Sequence, residues 1–321
     1  MSEDGRFTSP YPLETAVLFL VFNRLDTTKQ VFKAIRQAKP SQLYIAADGP
    51  RADHPGEDEK VQAVRDYVVS SIDWDCEVKT LFRDENLGCK RAISSAIDWF
   101  FSHVEEGIIL EDDCIPDQSF FLFCQDLLEH YRDDERIMMI SGDNFQFKRE
   151  PTETSYYFSR YPHIWGWASW KRAWDLYDSE MTAWPEIREN GYLKGILPDK
   201  RAVKYWKSVF DSVYNGSIDT WDYQWVFSCW INCGLSIIPN QNLISNIGFG
   251  QSSTHTKEDS KFSNLPIGKM KFPLKHPKFV IWNVSADRFT ERIWYSQSRC
   301  IKFMSGLKTI KSKYILRYIK F

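Results

Sequence analysis

Several protein classes are excluded by what the 321-residue chain lacks. No apolar run is long enough for a membrane span: the longest, "AVLFLVF" at 16–22, falls far short of the roughly 20 residues a helix needs. The opening "MSEDGRFTSPYPLE" has no apolar signal core, so the expected location is the cytoplasm. Net charge is only −2 and pI is near 6.3, which argues against a nucleic-acid partner and leaves any anion site local. The seven cysteines form no Cys-x-x-Cys pair and have no zinc-spaced histidine. A reduced compartment fits, with six of the seven expected to be small buried residues. Internal repeats and low-complexity tracts are absent.

What is present is a large apolar supply, 43% hydrophobic and 16% aromatic, ample for a substantial core. The run "AVLFLVF" reads as a strand, and the segment after it carries Val31, Phe32 and Ile35 at helical spacing, with Asp26 or Thr27 as expected cap. "QLYIAAD" reads as a second strand, followed by a helix through Val61, Val64 and Val68. "EVKTLFR" is the third, then an Asn-Leu-Gly turn opens an amphipathic helix, and "GIIL" is the fourth. Four strand and helix alternations predict an α/β fold with a mostly parallel sheet flanked by helices. Ligands bind such sheets beyond the carboxyl ends of the strands, where Asn23, Arg24, Asp48, Arg83 and the acids Glu111, Asp112 and Asp113 all fall. After 150 the pattern turns irregular and aromatic.

Three adjacent acids beyond a buried strand repel one another and lose hydration unless a cation or hydrogen-bond donors compensate. Oxygen ligands suit Mg²⁺ or Mn²⁺, and a solvated turn is the plain alternative. The Glu-Asp-Asp run followed by "P-x-x-S-F-F-x-F" resembles the metal-binding D-x-D element of GT-A glycosyltransferases, and in particular that of N-acetylglucosaminyltransferase I. "FNR", "ADGPR", "ENLGCKRAI", "ISGDNF" and "WGWASWKRAW" are similar to bacterial sugar-transferase-like proteins labelled hemolytic protein HlpA-like, over roughly 15–256.

The resemblance implies a GT-A (Rossmann-like) domain over 13–256 with a basic extension over 257–321. It also implies transfer of a sugar from a nucleoside-diphosphate donor, expected to be a UDP-sugar, to a hydroxyl acceptor with inversion, in surface glycan or glycoconjugate synthesis. Asp113 would bind the Mn²⁺ or Mg²⁺ that bridges the phosphates, with Asp112 and Glu111 on ribose, donor sugar or metal-bound water. Asn23 and Arg24 would open the nucleotide pocket. Asp222 in "DTWDYQW" resembles the base of inverting enzymes, although an acid in a first helical turn is favoured anyway and Asp219 could cap that helix. His255 is a further metal or phosphate candidate, without a counterpart in the N-acetylglucosaminyltransferase pattern.

Other positions rest on the residues themselves. Asp48 could accept from base or ribose, or serve the turn before Gly49 and Pro50. Arg83, Lys90 and Arg91 surround a helix start suited to a diphosphate, with one of the three expected to touch it. Trp165 and Trp167 could wall an acceptor site, Gly166 between them implying a close backbone approach; core packing is the alternative. Two rivals stand beside the transferase reading. One is a nucleotidyltransferase, disfavoured because "FNRLDTTKQ" has no glycine, and the other is a non-catalytic nucleotide- or glycan-binding protein. The tail "KFMSGLKTIKSKYILRYIKF" carries six basic residues and no acid, with an apolar stripe at helical spacing. It is expected either to pack on the domain or to touch an anionic inner-membrane surface near a lipid-linked acceptor.

Overall fold

The computed structural model describes residues 13–147, 149–249, 262 and 264–293. The first half alternates β1 (Val17–Val21), α1 (Leu25–Ala38), β2 (Gln42–Ala47), α2 (Glu57–Ser70), β3 (Glu77–Phe82), α3 (Gly88–Phe101) and β4 (Glu106–Glu111). The middle adds β5 (Cys114–Pro116), α4 (Gln118–His130), β6 (Ile137–Ser141), β7 (Tyr156–Ser159), β8 (Trp167–Trp170) and α5 (Lys171–Trp174). The remainder is α6 (Trp184–Glu189), α7 (Leu193–Ile196), α8 (Lys200–Tyr214), α9 (Asp222–Ile231), β9 (Leu235–Pro239) and β10 (Ile244–Asn246).

Eight strands form one sheet in the order β3-β2-β1-β4-β8-β6-β9-β7, and β5 pairs with β10 in a small second sheet. This is the α/β, Rossmann-like class expected from the sequence. The β3-β2-β1-β4 half is wholly parallel, whereas β8 and β7 run antiparallel to their neighbours. From β1 the chain moves outward through β2 to β3, then returns across the sheet to β4. The strand order therefore reverses between β1 and β4, and that reversal leaves a crevice at their carboxyl ends.

Burial on both faces explains the continuous apolar runs. Val17, Phe19 and Val21 of β1 join a core with Val31, Phe32 and Ile35 of α1 and with α4, while Leu18 and Leu20 join a second core with α3 and Trp225 of α9. Each such side chain contributes about 1.5–3 kcal/mol by leaving water. A third aromatic core, with Trp184, Phe210, Phe227 and Trp230, lies among α6, α8 and α9.

Two local expectations change. α1 starts directly after Arg24, whose backbone carbonyl accepts from the Thr27 and Thr28 hydroxyls, and neither Asp26 nor Thr27 caps it. Of the six described cysteines only Cys114, Cys124 and Cys229 are buried, Cys233 being exposed and Cys76 and Cys89 intermediate. Residues 270–291 lie against the sheet: Met270 and Leu274 enter the first core, the buried Asp287 accepts from the Ser159 hydroxyl, and Glu291 accepts from the Tyr161 hydroxyl. The tail expectation at 302–321 falls outside the described residues. Among the described residues no helix is long and apolar enough to cross a membrane.

Candidate functional site

The acids stand in the crevice at the strand reversal. β4 ends at Glu111, which pairs with Leu20 of β1, and the chain turns through Asp112 and Asp113 into β5. Arg24, leaving β1 next door, donates from one guanidinium nitrogen to Asp112 Oδ1 and to Asp113 Oδ2, the latter at 2.9 Å. Side-chain exposure is 23% for Arg24, 5% for Asp112 and 13% for Asp113, so these charges are largely withdrawn from water. One guanidinium does not offset three carboxylates. Burial, with Asp113 and Asp112 adding to it, pushes Glu111 well above the ordinary carboxylate range. Asp112 is also raised by burial, with Arg24 opposing the rise.

Two observations bear on whether these residues suit a divalent cation. Among the described residues Asp112 Oδ2 is buried without a hydrogen bond of good geometry, although the Phe22 backbone N–H acts on the same carboxylate; a ligand would relieve that condition. Among the described residues Asp113 Oδ1 has long contacts, 3.4 Å from Asn246 Nδ2 and 3.4 Å from Cys114 Sγ. An all-oxygen donor set of this kind matches Mg²⁺ or Mn²⁺ in chemistry. Among the described residues, however, no three His, Cys, Asp or Glu side chains are gathered as a ready metal centre. His255 lies outside the described residues. The loop after β10 closes over Asp113, where a Cβ on Gly248 would fall 1.9 Å from Asp113 Oδ2, so a side chain there is incompatible with this packing.

The residues expected around the triplet divide into two groups. Asn23 is drawn away, its amide donating to Glu57 Oε1 at 2.8 Å. Glu57 also accepts from the Arg51 backbone and guanidinium, which together hold its carboxyl down at about 2. Arg83 donates to Ser95 Oγ, Lys90 to Glu180, and Arg91 is exposed. The helix start expected to receive a diphosphate already holds an anion of the protein. Asp219 accepts from the backbone N–H groups of Cys89 and Lys90, so it caps α3 and not α9. Asp48 accepts from the Leu87 N–H at 3.0 Å, just before α3, and burial raises its pKa.

Asp222 stands apart from that group. It is the first residue of α9 and accepts from the Thr220 hydroxyl, and its charge adds the smallest of the named contributions to the rise of Glu111. Cys89 reports the same gathering: burial raises its thiol pKa, with Glu111, Asp222, Asp219 and Asp48 all adding to the rise.

The tryptophan pair separates. Gly166 has φ +64°, and a Cβ there would meet Ile244 at 2.6 Å, so the predicted close approach is real. It nonetheless sends Trp167 into the core, 1% exposed and stacked on Trp221, which corrects its expected place on a wall. Trp165 stays partly buried against Phe145 and Phe249. Its backbone N–H is held by Asp143, a buried acid that also binds His163 Nδ1 at 2.9 Å. Sequence reasoning missed this pair, Glu57 and the capping role of Asp219. A cavity of about 880 Å³ opens at the opposite end of the sheet, beside Ala16, Gln42 and Glu106, and none of the expected site residues lines it.

No protein-family model matches the chain, and no curated protein matches it. Solved structures give distant likenesses. HddC from Yersinia pseudotuberculosis aligns with a TM-score of 0.30 and 12% identity, covering 49% of this chain and 77% of its own. S. aureus TarS aligns at 0.36 with 10% identity, covering 52% of this chain and 30% of TarS. A TarS chain of residues 1–349 aligns at 0.40 with 8% identity, covering 72% and 59% respectively. The chain thus spans less than two thirds of either TarS chain, and likenesses of this extent assign no activity.

Proposed function

We propose that the chain transfers a sugar from a nucleoside-diphosphate donor, a UDP-sugar by preference, to a hydroxyl of a glycan or lipid-linked acceptor, with inversion, in surface glycan or glycoconjugate synthesis. The observation that carries this reading is the run Glu111, Asp112 and Asp113 at the carboxyl end of β4, in the crevice at the strand reversal, with Arg24 bonded to both aspartates. A transferase also needs a base, and Asp222, whose charge adds to the rise of Glu111, is the proposed one.

In this reading the Asp222 carboxylate takes the proton of the acceptor hydroxyl as its oxygen bonds to the anomeric carbon. The bond from that carbon to the diphosphate breaks, and the nucleoside diphosphate leaves with the electron pair. A divalent cation, when bound, neutralises charge on the departing phosphates. Asp113 would hold it, Asp112 and Glu111 would meet ribose, donor sugar or metal-bound water, Arg24 would meet the diphosphate, and Trp165 would offer an apolar face on the acceptor side. The catalytic unit in this proposal is 13–256, and the basic tail brings it to an anionic membrane surface. A hydrolysis screen of nucleotide-sugars with Mn²⁺ and with Mg²⁺ tests it. Cation-dependent release of UDP from at least one UDP-sugar is expected; no turnover of any nucleotide-sugar with either ion would refute it.

A further inference from the structure

The position of Arg24 carries a consequence for the order in which ligands enter. Its guanidinium bonds Asp112 and Asp113 together, using one oxygen of each acid. Arginine does not lose its proton in a protein, so this positive charge leaves the acids only by moving. With the acids 5% and 13% exposed, a second cation brought beside the guanidinium is poorly screened and strongly repelled. At the same time one guanidinium is too little charge for three carboxylates, and among the described residues Asp112 Oδ2 is left buried without a well-formed hydrogen bond. The site is therefore guarded by a cation, yet still short of positive charge.

A diphosphate offers Arg24 a better partner than either acid. Arginine binds phosphate through two parallel N–H bonds, a geometry that a single nitrogen shared between two carboxylates does not use. Arg24 is the residue directly before α1, at the crevice mouth, and its side chain keeps 23% exposure, so it can turn to the crevice without disturbing the helix.

We infer that Arg24 is a resident counter-ion that holds the acid triplet closed to divalent cations until a nucleoside diphosphate draws the guanidinium away. This rests on the transferase reading of the same site. Arg24 is on this account a positioning residue whose movement links nucleotide arrival to cation entry.

The test is Mn²⁺ binding to the full chain, followed by electron paramagnetic resonance, for wild type, Arg24→Ala and Arg24→Lys, each with and without UDP. Without UDP, Arg24→Ala is expected to bind Mn²⁺ at least tenfold more tightly than wild type, with UDP then adding less to Mn²⁺ affinity than it does in wild type. Arg24→Lys keeps the charge but loses the fork, so it should fall between the two; it also serves if the alanine variant folds poorly. Equal Mn²⁺ affinity in all three proteins without UDP would overturn the counter-ion role and leave the transferase reading standing. Absence of Mn²⁺ binding in every protein, with and without UDP, would overturn both.

Discussion

Neighbouring residues of the loop after β1 reach two buried acid groups, and the two groups are held in opposite ways. Asn23 reaches Glu57, which also has the Arg51 guanidinium and backbone N–H, and its pKa falls to about 2. Arg24 reaches Asp112 and Asp113, which share one guanidinium with Glu111 nearby, and the pKa values of Glu111 and Asp112 rise. A buried carboxylate with more donors than it needs ties α2 to the sheet. Carboxylates with too few make the fold less stable, and on the proposed function they are kept for a ligand. The contrast separates structural from functional acids within a few residues of one another.

The sharpest break of the comparison is chemical. Asp222→Asn should keep UDP affinity and lower transfer by about 10² to 10⁴, the range for losing a general base. Initial rates with the donor found by the hydrolysis screen measure it, and full activity would move the base elsewhere, with Asp219 or Asp143 next to be examined.

On the structural side, Glu57→Gln should cost about 2 kcal/mol of unfolding free energy; this is below the usual loss for a broken buried pair because Arg51 is 37% exposed. The pH dependence has a fixed sign. Glu57 titrates near 4.5 when unfolded and at about 2 when folded, so its stabilisation is complete above pH 4.5 and is lost as pH falls toward 2. Urea titrations of wild type and variant should therefore converge at low pH, and a constant gap would show that the pair does not act through charge.

Glu111→Gln should do the reverse and is the smallest effect. Its folded pKa is raised, so the folded state holds the proton more firmly and stability falls as pH rises above the ordinary 4.5. Replacing it should raise unfolding free energy at pH 8 by about 1 kcal/mol, within the usual range for relieving a strained functional site. Loss of stability at pH 8 instead would put Glu111 with Glu57 among the structural acids.

Much of the first half was legible in the sequence because its strands are buried on both faces and so read as unbroken apolar runs. The helices showed themselves through Val31, Phe32 and Ile35, and through Val61, Val64 and Val68, all buried as their spacing implied except where exposure begins at the helix flanks. The place of the acid triplet also followed, since a residue directly after a parallel strand has little freedom to be anywhere but the carboxyl edge. Long-range partners were not legible. Nothing near Asp219 says that it caps a helix beginning at Gly88, and nothing near Asp143 says that it meets His163. Trp167 shows the same limit, because a tryptophan beside a tight glycine reads alike whether its ring faces a ligand or the core.

If the acid triplet is held for a nucleotide and its cation, substitution of Asp113 removes both. Calorimetry of UDP with Mn²⁺ should show binding to wild type and none to Asp113→Ala, with the variant retaining the far-ultraviolet circular dichroism of the folded chain. Equal UDP affinity in the two proteins in the presence of Mn²⁺ would contradict the claim and return Glu111, Asp112 and Asp113 to a turn pinned by Arg24.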